Sequence, residues 1–170
     1  MTATGNRADS GGAFDVLIVE IGGRHYGLPA AAVRELLRAA AIVPVHEAPG
    51  VEGVLNLHGT VVSVLDLRSR LHLPAKKIEP SDHFIVIAVA SRVAVLRVDE
   101  TIELVRLGGA DLASASRELA DVDCVSQFAK RPGELVPILD LEAIMSHPDA
   151  ALLPGASRAS GPTADRETQA

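Results

Sequence analysis

One stretch of the chain occurs twice. The segment 60–71 reads TVVSVLDLRSRL, and the segment 134–145, which begins 74 positions later, reads ELVPILDLEAIM. Each joins an apolar run typical of a strand to Leu-Asp-Leu and a short amphipathic stretch typical of a helix. A weaker similarity at an offset of 68 relates Arg24, Leu28, Glu35 and Leu36 to Arg92, Leu96, Glu103 and Leu104. The repeat predicts a tandem pair of small β units, each around its own core, with Leu65 and Leu139 in equivalent core positions.

Short runs of Val, Ile and Leu, separated by turn residues, predict ten strands. They lie at 16–21, 24–28, 33–37, 53–57, 61–65, 84–89, 93–98, 102–107, 122–128 and 134–139. Many short strands at close spacing favour barrels or sandwiches over a parallel sheet with crossover helices. Helix is predicted at 66–71, 109–120 and 140–145, with Asp66 and Asp140 as N-caps. Gly22 and Gly23 are expected to form a tight hairpin turn.

The ends of the chain differ in composition from its middle. Segments 1–13 and 147–170 are rich in small, polar and charged residues without a repeating apolar face, so we expect disordered tails. The domain is predicted at 14–146. Its two subdomains are expected at 14–78 plus a C-terminal element, and at 79–140.

Composition excludes several classes of protein. The net charge is −6 and only 2% of residues are aromatic, so the chain lacks the cationic surface and stacking platforms of a nucleic-acid binder. Its one cysteine, Cys124, cannot form an internal disulfide, and an apolar run within 122–128 indicates a small core residue. No apolar run approaches the ~20 residues needed to span a bilayer, and no signal-peptide pattern is present. We therefore expect a cytoplasmic protein without membrane insertion.

No pattern of catalytic residues stands out. The six histidines, His25, His46, His58, His72, His83 and His147, include no pair at helical metal-ligand spacing. Phosphate-binding glycine loops and a nucleophile elbow are also missing. Asp99, Glu100 and Glu103 are interpreted as a solvated acidic edge. We therefore expect a binding module without a cofactor, metal or catalytic site.

The segment 51–71, VEGVLNLHGTVVSVLDLRSRL, strongly resembles the most characteristic stretch of CheW-like coupling domains from bacterial chemosensory systems. In that family, a strand ending in Gly-x-x-Asn-Leu-Arg-Gly leads into an apolar strand and Asp-Leu-Arg. The matching residues here are Gly53, Asn56, Leu57, Gly59, Asp66, Leu67 and Arg68. The stretches YGLP at 26–29, VRELL at 33–37, 93–102 and 136–145 are similar to other family elements. The match covers about 14–145.

The resemblance implies a mainly β fold of two intertwined five-stranded SH3-like barrels with few short helices. It implies a scaffold that connects the cytoplasmic tips of methyl-accepting receptors to the regulatory domain of a CheA-type histidine kinase. Val33, Glu35 and Leu36, with Ile102 opposite, are expected to flank the receptor groove. Gly53, Asn56, Leu57, His58 and Gly59 are expected to shape the kinase side. We expect a stand-alone coupling protein, because no receiver domain follows Leu153 and no kinase ATP-binding domain fits in the chain.

His58 departs from the family pattern, which usually has Arg at this position. Arginine carries a permanent charge, whereas histidine is only partly charged near neutral pH. The substitution indicates either an altered coupling surface or a passive replacement. The resemblance places Glu35 and His58 on neighbouring strands of the first barrel, so we predict that they pair and make partner binding depend on pH.

Two alternatives remain open at this point. One is a small metal-dependent or hydrolytic enzyme that uses His58 with Asp66 or Glu35. The other is an SH3-like adaptor outside chemosensing, which the shortage of aromatic residues disfavours, because Pro-rich ligands dock in aromatic-lined grooves.

Overall fold

The computed structural model describes residues 12–46, 48–114 and 124–146. The strands in this part of the chain are β1 (Phe14–Ile21), β2 (Arg24–Pro29), β3 (Val33–Arg38), β4 (Val43–Pro44), β5 (Val51–Leu57), β6 (Thr60–Leu65), β7 (His83–Val89), β8 (Arg92–Val98), β9 (Glu100–Leu107), β10 (Leu112–Ser114), β11 (Val125–Arg131) and β12 (Glu134–Leu139). The helices are α1 (Leu67–Arg70) and α2 (Leu141–Ser146), with short 3-10 turns at Ala30–Ala32 and Gly109–Asp111.

All ten predicted strands are present, with boundaries shifted by a few residues. The structure adds the short edge strands β4 and β10, which are too brief to produce an alternating pattern. Of the predicted helix at 109–120, Gly109–Asp111 forms only a short 3-10 turn, and the prediction is wrong at Leu112–Ser114, which is strand β10. There the Gly108 amide donates to the Asp111 carboxylate at 2.9 Å, which closes a tight turn, and β10 then pairs with β11. Residues 115–120 lie outside the described residues, as do 122–123 of the predicted 122–128 strand and most of both predicted tails.

The predicted turn and caps are confirmed. Gly22 and Gly23 have φ values of +61° and +75°, the left-handed conformation that a two-residue hairpin turn requires and that glycine adopts without steric cost. The Asp66 carboxylate accepts from the Ser69 amide, and the Asp140 carboxylate accepts from the Ala143 amide, each at 3.0 Å. Each cap satisfies a backbone donor in the first turn of a helix that follows a repeat strand.

The two sheets are built alike. One has the strand order β4-β5-β6-β8-β7-β3 and the other β10-β11-β12-β2-β1-β9, so strands six places apart along the chain occupy equivalent positions. Each sheet therefore takes a hairpin from the other half of the chain, which intertwines the halves. The parallel neighbours Val64 and Val95 in the first sheet correspond to Ile138 and Gly27 in the second, at the repeat offsets of 74 and 68. The predicted subdomain limits divide the chain into its two halves. That these halves are the units that fold remains a prediction.

Apolar side chains form one shared core and two smaller ones. Strands β1 and β7 are buried on both faces, and alternate residues point into different cores. The smaller core of the first sheet contains Val62, Val64, Phe84, Val86 and Val95, and that of the second contains Val16, Ile18, Leu107, Ala129, Val136 and Ile138. Leu65 and Leu139 are equivalent, but both lie in the shared core, together with Cys124. The prediction that they belong to two separate cores is therefore wrong, because the exchanged hairpins bring both sheets together at these positions.

A charged cluster holds the connection between α1 and β7. Arg97 reaches Glu52 at 3.1 Å and Asp82 at 3.3 Å, and Lys76 reaches Asp82 at 3.0 Å. Burial raises the pKa of Glu52, which the neighbouring charge of Arg97 only partly opposes. The fully buried Asp82 thus has two cationic partners, as a buried carboxylate requires.

The interpretation of Asp99 as part of a solvated acidic edge is wrong. Its side chain is only 17% exposed and accepts from the Arg68 guanidinium at 2.6 Å and from the Gly22 amide at 2.8 Å. Burial by itself would raise the pKa of Asp99. The bonds from Arg68 and Gly22, together with the charges of Arg68 and Lys76, outweigh burial and lower it below its usual value. Glu103 is also paired, with Arg131.

Candidate functional site

The turn between β5 and β6 is held by its own residues. Its two central residues, His58 and Gly59, have φ values of +51° and +89°, and Leu57 pairs with Thr60 across the turn. Both positive φ values match the hairpin turn whose twist suits the flanking strands, and histidine is among the side chains enriched in this conformation. The Asn56 side-chain oxygen accepts from the Gly59 amide at 2.8 Å. Asn56 and Gly59 therefore position His58.

The predicted pairing of Glu35 with His58 is confirmed as a contact. The His58 Nε2 atom lies 3.2 Å from Glu35 Oε1 and 3.1 Å from Oε2. Glu35 belongs to β3 at one edge of the first sheet, whereas the turn lies near the opposite edge. The sheet therefore curls far enough to bring β3 to the β5–β6 turn, but β3 is paired with β7 and not with β5 or β6, so the prediction that the two residues lie on neighbouring strands is wrong. The His58 side chain is 72% exposed, so the pair is open to solvent and to a binding partner.

The other residues expected on the kinase side are structural. A Cβ atom on Gly53 would lie 2.4 Å from the Val43 carbonyl oxygen, so glycine lets β4 approach the ladder of β5. Leu57 packs against the smaller core of the first sheet. Among the five residues of this expected surface, His58 carries an exposed side chain that the turn does not use for its own bonds. Val61, which pairs with Asn56 beside the turn, and Val43, which pairs with Val54 further along β5, are exposed, although the sequence motif did not include them.

The residues expected at the receptor groove separate into different roles. Val33 is half-buried and packs against the shared core. Leu36 is 49% exposed on β3, at the edge of the first sheet, and Ile102 is 39% exposed on β9, at the edge of the second. Leu104, the repeat counterpart of Leu36, is 62% exposed. The edge strands of both sheets therefore present apolar side chains, and Glu35 connects one of these edges to the His58 turn.

A catalytic pairing of His58 with Asp66 does not fit the geometry. The two residues lie at opposite ends of β6, whose six residues span about 20 Å at roughly 3.3 Å per residue. The Asp66 carboxylate caps α1, and no cluster of three or more metal-binding side chains occurs in 12–46, 48–114 or 124–146. The Glu35–His58 contact, by itself, is an exposed ion pair.

The second sheet carries a counterpart that sequence reasoning missed. Arg131 ends β11, directly before the two-residue turn Pro132-Gly133, and its guanidinium contacts Glu103 of β9 as well as Glu134 at 3.4 Å. Glu103 is the repeat counterpart of Glu35, and Gly133 is that of Gly59. Arg131 lies one position earlier than the counterpart of His58, so the repeat alignment does not reveal it. The correspondence of Glu35 with Glu103 in the repeat was the sequence feature that could have indicated this second ion pair.

Comparison with known proteins identifies the family. The model of the CheW-like domain matches residues 15–149. The chain belongs to the CheW-like domain family. The edge strand with Glu35, the Asn56–Gly59 turn and the exchanged hairpins described above are thus features of a CheW-like domain.

Relatives and a solved structure agree with this assignment. The chain is 29% identical to chemotaxis protein CheW of Bacillus subtilis (strain 168) over 136 residues, which cover 76% of this chain and 85% of the relative. It is 20% identical over 140 residues to chemotaxis protein CheW of Treponema pallidum (strain Nichols), covering 78% of this chain and 82% of the relative. The crystal structure of the scaffolding protein TtCheW from Thermoanaerobacter tengcongensis superposes with a TM-score of 0.73 at 20% identity, covering 81% of this chain and 96% of that one.

These findings place the chain among chemotaxis scaffold proteins of the CheW type, which are not a class of enzymes. Within the described part of the CheW-like domain, no helix is long and apolar enough to cross a bilayer.

Proposed function

We propose that this protein couples chemosensory receptors to a CheA-type histidine kinase by binding both. The observation that carries the proposal is the Glu35–His58 contact. Glu35 belongs to the surface expected to face the receptor tip, and His58 belongs to the surface expected to face the regulatory domain of the kinase. An ion pair at 3.1 Å therefore joins the two expected surfaces. A change in the contacts at one face can therefore alter the other face directly, which is how two sites come to share a coupling free energy.

On the kinase side, the contact energy is expected to come from the neighbours of the motif. Gly53, Asn56 and Gly59 shape the backbone and offer little side-chain area. The exposed Val61 lies beside the turn, and the exposed Val43 lies on the adjoining edge strand β4; both supply apolar area of the kind that lies at the centre of protein interfaces. His58 contributes a polar anchor beside them.

On the receptor side, the edge strands β3 and β9 are the proposed contact elements. Exposed Leu36 and Ile102 would pack against an apolar face of the receptor hairpin, and Glu35 would lie between this contact and the His58 turn. Val33 supports the strand from the shared core. The cytoplasmic location expected from the sequence remains a prediction.

Binding measured with purified components tests the proposal. The full chain is titrated with the regulatory domain of a CheA-type kinase and, separately, with a receptor signalling hairpin from the same organism. We expect binding to both, weakening on Val61→Ser for the kinase and on Leu36→Ser for the receptor. His46→Ala, an exposed position away from the turn, is the matched control and should bind like wild type.

Each outcome bears on a different part of the proposal. If neither partner binds, the coupling function is wrong. If both bind and Val61→Ser and Leu36→Ser leave the affinities unchanged, the function stands and the assignment of the two surfaces is wrong. Tightly bound metal in purified protein, detected by elemental analysis, would instead favour the enzyme alternative.

A further inference from the structure

The chain passes from one sheet to the other at two equivalent places that are held differently. The first crossover comprises residues 30–33, between β2 and β3, and the second comprises residues 98–101, between β8 and β9. The repeat offset of 68 relates them residue by residue. The first is a 3-10 turn of three alanines, in which the Val33 amide donates to the Ala30 carbonyl. Ala32 and Val33 pack against the shared core, so backbone and apolar contacts hold this crossover.

The second crossover is held by charged and polar side chains. Asp99 bonds to Arg68 and to the Gly22 amide, and its own amide donates to the Glu20 carbonyl at 2.9 Å. Two residues later, the Thr101 amide donates to Nδ1 of His83 at 3.1 Å, and the Thr101 hydroxyl lies 3.2 Å from the same nitrogen. His83 begins β7 in the first sheet, whereas Thr101 belongs to β9 in the second. The imidazole therefore ties the two sheets together.

This bond requires a neutral imidazole. A backbone N–H can only donate, so Nδ1 must present its lone pair, and the ring proton must then sit on Nε2. Protonation of the ring turns Nδ1 into a donor that can bond to the Thr101 hydroxyl but can no longer accept from the Thr101 amide. We propose that His83 is an acid-sensitive latch that holds the backbone of the second crossover when neutral and releases the Thr101 amide when protonated.

Of the contacts around His83, the bond from the Thr101 amide is the one that protonation of the ring breaks. Arg38 of β3 and Val98 of β8 lie opposite His83 in the two neighbouring ladders. Asp82, the preceding residue, is committed to Lys76 and Arg97, and Glu100 precedes Thr101 in the crossover.

The second tie of this crossover, through Asp99, persists on mild acidification. The lowered pKa of Asp99 means that its carboxylate stays ionised, and its bonds intact, until the solution is more acidic than an ordinary carboxylate needs. Asp99 therefore still holds the position two residues before Thr101 under mildly acidic conditions. Opening of the latch frees the start of β9, the strand that carries Ile102 and Leu104. An effect of the latch on receptor binding would rest on the proposed function.

Amide hydrogen exchange of the full chain, followed by NMR, tests the latch. Protection factors of Thr101 are compared between pH 7.5 and 5.5. Val33, its repeat counterpart, serves as an internal control, because its amide bonds to a carbonyl that does not titrate. We expect protection of Thr101 to fall about 2- to 12-fold on acidification, the effect of losing one neutral hydrogen bond, and that of Val33 to stay constant.

A variant separates the latch from general acid destabilisation. In His83→Asn, the amide oxygen stands near the position of Nδ1 and accepts without titrating, so protection of Thr101 should no longer depend on pH. His46→Asn, at an exposed histidine, should retain the wild-type response. Equal behaviour of Thr101 and Val33 in the wild type would overturn the proposal. An unprotected Thr101 amide at pH 7.5, or unchanged pH dependence in His83→Asn, would overturn it as well. None of these outcomes depends on a partner, so the latch and the coupling function fail independently.

Discussion

The turns at equivalent ends of the two sheets carry ion pairs of different character. In the first sheet, Glu35 meets His58, whose side chain is 72% exposed and whose charge depends on pH. In the second, Glu103 meets Arg131, which is 22% exposed, permanently charged and also paired with Glu134. His25 adds a further contact to Glu134 at 3.2 Å. One fold position is thus an open, titratable contact, and its counterpart is a closed network.

The difference shows how a duplicated unit can keep its fold while its surfaces diverge. The shared core uses equivalent residues from both halves, such as Leu17 with Ile85 and Leu65 with Leu139. The ion pairs lie at the ends of the sheets, where a change of side chain affects little packing. A change of side chain therefore alters the free energy of unfolding little at the turns and strongly in the core. Mutations at both places test this contrast.

The largest effect is expected in the shared core. Truncating Leu65→Ala and Leu139→Ala should each lower the free energy of unfolding by roughly 2–5 kcal/mol, because both side chains are fully buried. Urea denaturation followed by circular dichroism measures the loss. Leu135→Ala, at an exposed position on the same strand as Leu139, is the control and should change stability by less than about 0.5 kcal/mol. A negligible cost at either leucine would contradict the equivalence of the halves.

A smaller effect is expected at the charged crossover. Asp99→Asn removes the ionic partner of the nearly buried Arg68 and should cost roughly 1–3 kcal/mol at pH 7. Because the folded state lowers the pKa of Asp99, this stabilisation is complete above the ordinary carboxylate range and disappears as pH falls through the lowered value. In urea denaturation, the gap between the wild type and Asp99→Asn should therefore begin to narrow near pH 4 and close only as pH falls through the lowered pKa. Glu100→Gln, at an exposed neighbour, should match the wild type at pH 7. A gap between wild type and Asp99→Asn that does not change with pH would argue against the ion pair.

An effect of a few-fold is expected for partner binding through the His58 turn. Protonated His58 attracts Glu35, and this attraction fades as pH rises, so affinity for the partner at this surface should fall between about pH 6 and 8. An exposed pair of this kind is worth roughly 0.2–1 kcal/mol, which is about 1.4- to 5-fold in affinity. His58→Arg should give a flat profile, because arginine stays charged throughout. Titration calorimetry across the range measures both. The same flat profile for the wild type would identify His58 as a passive substitution.

The smallest effect is expected on stability at the same turn. Glu35→Gln removes an exposed ion pair and should change the free energy of unfolding at pH 7 by less than about 0.5 kcal/mol. Glu103→Gln, which removes a partner of the less exposed Arg131, should cost more than Glu35→Gln in the same thermal melts. The reverse order would break the contrast between an open contact and a closed network.

Much of this architecture follows from local patterns in the sequence. Alternating apolar runs determine where the ten long strands lie, because a side-chain period of two suits a half-buried strand. The repeat of 60–71 at 134–145 determines that two similar units exist, and Asp66 and Asp140 determine where their helices begin. The Gly-x-x-Asn-Leu-x-Gly spacing around Gly53 determines the family and the turn that presents His58. The resemblance to the family, rather than a local pattern, placed Glu35 beside His58, and in the structure the two side chains meet although their strands are not paired.

Only the tertiary structure decided which half of the chain each hairpin joins. The β1–β2 hairpin could pack on its own half or on the other with the same local pattern, and the exchange is what puts Leu65 and Leu139 into one shared core. The same exchange brings Arg68 to Asp99 and His83 to Thr101. Such pairings depend on long-range contacts between residues that are far apart along the chain, whereas periodicity and spacing report only on neighbours. That is why Asp99 looked like a solvated carboxylate in the sequence and is an ion-paired, mostly buried one in the fold.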